Sequence, residues 1–389
     1  MITSRFDKRI YFYLLAGTTA SFLISLFLLQ LFVGLLSVLW LFEKTENKRK
    51  AVDIFTWLIF TFGIIRIASI IFSQYPGVSS QSFYKDALFY LGFFSISYYL
   101  KVIEYERLKI ILYYFSAAAV VVALIGLVLF NIGYVERAQS FSSGYSTFSS
   151  YLIVALGIMI AVPVRVKTKN LKILWAIGLA TVLSGVITSL GRTNLAVAGI
   201  LILAGIAFKK IDIKNFIVIV VLTAALSGLS FYNNRTEVEK RVENPTTLSD
   251  RDILMKGFET LKFEHPLLGF GPRTFHQTFP YKDEFNDKGI GSWHNDFIQV
   301  YFESGLLGLF GFIAIIISVF FYAYKFLRKE KKTIYLYDVV FGVLLGFIAL
   351  VLSALTAGFI DSPVLSVVFA FLISMLSASL YHTKNVNAV

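Results

Sequence analysis

Three of the four histidines of this 389-residue chain, His265, His276 and His294, lie within residues 231–295. They lack a zinc spacing such as H-E-x-x-H. His294, in Gly291-Ser292-Trp293-His294-Asn295 directly before an apolar run, is the best placed for acid–base work, because the ordinary pKa of imidazole lies near working pH. The bland alternative is an interfacial histidine that only donates a hydrogen bond. Asp250-Arg251-Asp252 superficially matches a metal-gripping D-x-D. On a helix, however, residues i and i+2 point roughly 200° apart, so capping is the cheaper reading: Ser249 caps, Asp252 is its reciprocal partner, and Asp250 suits the positive end of the dipole. No metal site is expected. With no cysteine in the chain, disulfides, thiolate metal sites and cysteine nucleophiles are excluded. The absence of G-x-S-x-G, Walker and dinucleotide fingerprints leaves ATP and nicotinamide chemistry unsupported, and no cofactor is expected.

Arginine is the residue for gripping phosphate, through a planar fork of donors that stays charged. Arg192, in Ser189-Leu190-Gly191-Arg192-Thr193-Asn194, opens an apolar run; Arg137 follows another such run, and Arg251 opens the helix expected at 249–263. For Arg192 two readings stand side by side, a phosphate grip and a side chain snorkelling to head groups. Arg66 lies inside an apolar run, where it needs a partner or water, and reads as a structural pair or a substrate contact.

Which elements hold these residues? Hydrophobic residues make up 57% of the chain and charged ones 15%, with mean hydropathy +0.73, so the bilayer is the natural solvent. The net charge of +12 punctuates the apolar runs instead of forming a stripe, which argues against a nucleic-acid partner. Runs long enough for about 30 Å of hydrocarbon fall near 52–72, 83–100, 108–130, 146–164, 171–188, 193–208, 213–231, 296–324, 336–355 and 362–381. The opening run, 10–42, has no charge over thirty-three residues. It is too long for one span and is expected to break near Ser21–Ser25, giving twelve crossings. No cleavable signal peptide is expected, because this run is too long and lacks an A-x-A-like exit.

With the N-terminus cytoplasmic, the inner segments carry twenty-three Lys and Arg, whereas the short outer loops carry only Lys85, Arg137 and Arg192. The positive-inside rule then puts both termini in the cytoplasm and the long loop outside. The chain divides into 1–230 with nine crossings, the 231–295 loop, and 296–389 with three. In the loop, Leu254, Phe258 and Leu261 give the expected helix an apolar face for the membrane domain or the bilayer surface. His265-Pro266 stops that helix, and Gly269 and Gly271 permit a turn with φ > 0. Trp293 marks the interface and can stack on a sugar. Gly342-x-x-x-Gly346 and the Gly305/Gly308/Gly311 series read as close helix packing.

Several runs, in order, resemble the O-antigen ligase family, which includes related polysaccharide polymerases: Ser189-Leu190-Gly191-Arg192; Ser249-Asp250-Arg251; His265-Pro266-Leu267-Leu268-Gly269-Phe270-Gly271-Pro272; and His294-Asn295-Asp296-Phe297-Ile298-Gln299 with Glu303-Ser304-Gly305-Leu306-Leu307-Gly308. They cover about 185–310, and Arg137-Ala138-Gln139-Ser140-Phe141 is a further echo. The resemblance implies an all-α polytopic C-type glycosyltransferase of the inner membrane, inverting and metal-independent. It would move a glycan from undecaprenyl diphosphate to lipid A–core on the periplasmic side; a polymerase would instead join two lipid-linked repeat units. Arg192 and Arg251 would hold the diphosphate and His294 would serve the acceptor hydroxyl. Arg137, Asn295, Trp293, Gly269, Gly271 and Asp361 would surround the substrate. A transporter or flippase is the alternative from another class, and it would show ionisable or helix-breaking residues at mid-membrane.

Overall fold

The computed structural model describes residues 7–162, 169–234, 250–287, 289–329 and 334–386. Among them every element is helical, and the one β pairing is an isolated bridge between Ser140 and Ser143. The uncharged opening run folds as α1 (Lys8–Ser21) and α2 (Leu26–Leu41), broken where expected, with Ser25 capping α2 through the Leu28 N–H. Then come α3 (Thr45–Ala51), α4 (Ile54–Ile71), α5 (Pro76–Ser79), α6 (Ser82–Val102), α7 (Tyr105–Asn131) and α8 (Tyr145–Ala161). They are followed by α9 (Lys169–Thr188), α10 (Arg192–Ala207), α11 (Ile213–Asn233), α12 (Arg251–Leu261), α13 (Phe275–Thr278), α14 (Asp296–Lys329), α15 (Ile334–Ser353) and α16 (Pro363–Val386).

Each of the twelve expected apolar segments is a helix. Among the described residues, seven helices (α4, α7, α9, α11, α14, α15 and α16) are long and apolar enough by themselves to cross a membrane. The others fall short for visible reasons. α8 and α10 are shorter apolar helices. α1, at 14 residues, reaches only about 21 Å against roughly 30 Å of hydrocarbon. α6 carries Lys85 and Asp86 near its start. Large exposed apolar side chains such as Phe27, Trp57, Leu203 and Phe310 face outward from the bundle, as lipid-facing surface should.

The bundle's centre is α8, buried all round from Phe148 to Ala161, packed on α15. A Cβ on Gly157 would stand 2.9 Å from the Gly346 nitrogen, and one on Gly342 would meet Val162 and Ala161. Gly342-x-x-x-Gly346 is therefore a close-packing surface. Gly311 likewise meets Phe62 and Ile65 of α4.

Gly305 does something else. It breaks α14, with φ 65° and ψ −165°, and the turn 266–272 locks into the break. The Leu306 N–H donates to the Pro266 carbonyl at 2.7 Å, and the Phe270 N–H donates to the Phe302 carbonyl at 2.7 Å. Each backbone thus satisfies groups the broken helix leaves open. A side chain on Gly269 would run into Phe302–Ser304, and one on Gly305 into Leu267 and Leu268.

Residues 250–287 and 289–295 form a cap with its own core, separate from the bundle's: Leu254, Leu261, Phe270, Phe275, Phe279, Phe285, Ile290 and Trp293, closed by Phe302 of α14. The apolar face of α12 rests on this core, not on a bilayer surface. Gly257 lies against Phe279, and Phe258 meets Phe302 edge-on at 5.7 Å.

Candidate active site in the cap cleft

A cleft of about 220 Å³ opens where α12, the segment 293–298 and the turn after α15 meet. It is lined by Arg251, His294, Leu254, Met255, Asn295 and Leu355 among others, with no carboxylate in its walls. Two residues 43 apart in sequence, Arg251 and His294, thereby face one space. His294 takes a left-handed φ of 49°, a strained conformation for a non-glycine that its surroundings must hold. The residue as a whole is exposed. The protein crowded around it, and then the Arg251 guanidinium, hold its pKa below the ordinary 6.5, against a pull from Asp287. At neutral pH the imidazole is therefore uncharged and able to accept a proton.

The turn at 353–362 is the part of the bundle that Arg251 reaches. Arg251 Nη2 donates to the Thr356 carbonyl at 3.4 Å. Asn295 Nδ2 donates to the Leu355 carbonyl at 3.1 Å, and Asp296, buried, accepts from the Phe359 and Ile360 N–H groups. From the other side, Asn194 Nδ2 donates to Ser149 and Ser150, and Ser150 shares a 2.7 Å hydrogen bond with Ser353 at the end of α15. The start of α10, with exposed Arg192 as its first residue, is tied through this relay to the turn that Arg251 reaches. Arg137 joins the same end: its Nε donates to the Ser189 carbonyl at 2.8 Å and its guanidinium lies 3.1 Å over the Tyr145 ring.

Behind His294 stands Gln299. Its Oε1 accepts from the Trp293 N–H at 3.0 Å, and its Nε2 donates to Glu303 at 2.5 Å and Asp361 at 2.9 Å. Two carboxylates on one side and a peptide donor on the other leave only this amide orientation. Glu303 in turn accepts from the Arg273 N–H at 2.8 Å and from Arg66 Nη1 at 2.6 Å, and Arg66 Nη2 reaches Asp86 at 3.0 Å. Arg66 is thus a structural pair, the first of its two readings. Asp86 and Glu303 also sit inside helices, so Arg66 is less of an exception than the sequence suggested. Burial, then the Glu303 carboxylate, raise the Asp361 pKa well above the ordinary carboxylate range, while Arg273 and Arg66 oppose the shift.

Several expectations change. Trp293 is buried, stacked on Phe302 at 4.0 Å and met edge-on by Phe275 and Phe279; it is a residue of the cap core that also borders the cleft beside His294. Gly269 and Gly271 are backbone-approach positions, Gly269 against α14 and Gly271 against Ser73 and Ser79. Asn295 spends its Oδ1 capping α14 through the Phe297 and Ile298 N–H groups. Asp361 lies apart from the cleft, on the far side of Gln299. Asp250 is the left-handed residue before α12 and makes no cap bond; its carboxylate accepts from Asn286 Nδ2 and the Asp287 N–H, closing the cap on itself. Ser249, the expected cap, lies outside the described residues. Among the described residues no three His, Asp or Glu side chains gather as a metal site would require.

A polytopic helical protein with a small aromatic cap and a cationic, histidine-bearing cleft beneath it is the class these features define. Residues 140–313 match the family model described as O-antigen ligase. The match spans Arg192, Arg251, His294 and the interlocked glycine runs, and leaves Arg66, Arg137 and Asp361 outside. No curated protein matches the chain. The family supports a glycan-processing role in the membrane.

Proposed function

We propose that the protein is an inverting glycosyltransferase of C-type architecture that moves a glycan from undecaprenyl diphosphate onto lipid A–core at the periplasmic face of the inner membrane. The observation that carries this reading is the single cleft shared by Arg251 and His294, with no carboxylate in its walls. Arg192 and Arg251 are each the first residue of a helix, so open backbone N–H groups and the positive dipole end add to each guanidinium. Such fixed donors stabilise a diphosphate as it leaves. Arg137 braces the start of α10. In the transfer, the acceptor oxygen bonds to the anomeric carbon, and the bond from that carbon to the diphosphate oxygen breaks. The electron pair leaves on the diphosphate, and the acceptor proton passes to neutral His294. The cap side faces the periplasm, twelve helices cross, and both termini are cytoplasmic; the charge asymmetry supports this.

Purified protein in detergent, given lipid-linked glycan and an acceptor, should form a new glycan without ATP, at a rate that chelators leave unchanged. Arg192→Lys should be severely impaired, because lysine keeps the charge and loses the fork. Full activity in that variant would reduce Arg192 to an anchor. A deletion strain separates ligase from polymerase: loss of capped lipid A–core with polymer remaining on the lipid carrier is the ligase outcome, and single-repeat glycans are the polymerase outcome.

A further inference from the structure

We propose that a second crevice, between α4, α6 and the turn carrying Asp361, is a carbohydrate subsite that holds one sugar hydroxyl between Arg273 and Asp361. The substrate class rests on the glycosyltransferase reading above; the site itself is argued from its own atoms. Arg273 Nη2 and Asp361 Oδ1 stand 3.9 Å apart, too far for a hydrogen bond. Arg273 Nε and Asp361 Oδ1 are both buried, and neither has a hydrogen-bond partner among the described residues. Buried polar atoms are almost always satisfied, so an open donor beside an open acceptor asks for a group that is both. A hydroxyl is such a group: it accepts from the guanidinium and donates to the carboxylate.

Size and charge narrow the choice. The enclosed space is about 30 Å³, room for one hydroxyl but not a ring, so the ring would lie at the mouth. Phe312, Phe359 and Phe369 form the crevice's buried floor, and half-buried Tyr90 and Ile360 are the apolar surface left for a sugar ring's C–H face at the mouth. Three cations (Arg66, Lys85 and Arg273) meet three carboxylates (Asp86, Asp361 and Glu303 behind Arg66). Both arginines are already paired with acids, Arg66 with Glu303 and Asp86, and Arg273 with Asp86 at 3.3 Å. A diphosphate would have to displace these carboxylates; a neutral sugar would not. The cleft at Arg251 and His294 has the opposite balance. Gln299 hydrogen-bonds Asp361 on one side and the Trp293 N–H on the other, so it spans the two sites.

The test is saturation-transfer NMR on the full-length protein in detergent, using the methyl glycosides of glucose, galactose, N-acetylglucosamine and rhamnose at millimolar concentration. Wild type should transfer saturation to the ring protons of at least one sugar. Ser366→Leu, which fills the crevice from α16 without touching an ion pair, should lose that signal, and Ser366→Ala should keep it. Asp361→Ala should lose it as well, and Arg251→Ala should retain it. No signal in wild type would mean that the open atoms hold water only, and an undiminished signal in Ser366→Leu would place binding elsewhere; either result overturns the subsite. The glycan-transfer assay on the same preparations separates the two readings. Sugar binding without transfer supports the subsite and defeats the glycosyltransferase reading. Transfer that Ser366→Leu leaves unchanged, with no sugar signal, does the reverse.

Discussion

His294 carries the sharpest residue-scale consequence. If it takes the acceptor proton, His294→Ala should slow transfer by roughly two to four orders of magnitude, while donor-lipid binding, carried by the arginines, changes little. His294→Gln keeps a hydrogen-bonding side chain but cannot act as a base; a glutamine variant within a few-fold of wild type would remove His294 from the chemistry. The pH profile has a fixed sign. A base is lost when it is protonated, so the rate falls on acidification, and because crowding and Arg251 lower the His294 pKa, the fall should begin below the ordinary histidine range. With only four histidines in the chain, labelled-histidine NMR can follow each one. Arg251→Ala should move the His294 titration to higher pH, and an unmoved titration would show that the two residues do not interact. Glu303 makes a different prediction at this scale. It accepts from Arg66, Gln299 and the Arg273 N–H together, so Glu303→Ala leaves a guanidinium buried without its nearest partner. About 3–5 kcal/mol of stability should be lost, read as a lower melting midpoint in detergent. A melting midpoint equal to wild type would make the network dispensable.

At the scale of elements, the interlock between the 266–272 turn and the break in α14 is what sets His294 over the cleft. Gly269 and Gly305 both sit at positive φ, 69° and 65°, and both touch the other element's backbone. Gly269→Ala should therefore cost at least ~1–3 kcal/mol from its backbone conformation alone. Limited proteolysis of the cap should speed up while the transmembrane helices stay intact. A cap with wild-type protease resistance would deny the interlock. This element also shows what could be read from the residues alone. The run around Gly269 and the run around Gly305 each stood out in the sequence, but their partnership did not, because it is made of backbone hydrogen bonds between segments with no complementary side chains. Trp293 was half legible for a related reason: a tryptophan next to an apolar run looks the same whether its face is open or stacked on Phe302. Arg66 was the more legible case. A charge inside an apolar run demands a partner, and Asp86 and Glu303, the acids in two other such runs, were there to be matched. Arg251 and His294 were legible because their residue types limit the chemistry they can do, whereas the cleft that joins them needed the fold.

At the scale of the whole molecule, a cationic cleft under a cap is useful only on one face of the membrane, so orientation belongs to the mechanism. The sequence distributes its basic residues unequally: α3, with Lys48, Arg49 and Lys50, and the end of α14, with Arg328 and Lys329, lie opposite in chain logic to the cap. If those basic ends are cytoplasmic, as the positive-inside rule favours, Arg251 and His294 face the compartment without nucleotides. A transfer driven by the diphosphate–sugar bond needs none there. The proposed twelve crossings, even in number, would return both termini to the basic side; loss of the short α1 from the count would place the N-terminus opposite. Single cysteines, in a chain that has none of its own, give a clean readout. A cysteine at Asp283 should react with an impermeant maleimide applied from the periplasm, one at Lys329 only after the cytoplasmic side is opened, and one at Lys8 should follow Lys329. If Asp283 and Lys329 exchange behaviour, the cleft faces the cytoplasm and the periplasmic transfer falls with it. If Lys8 alone follows Asp283, α1 does not cross, and the active site keeps its face while the bundle loses a span.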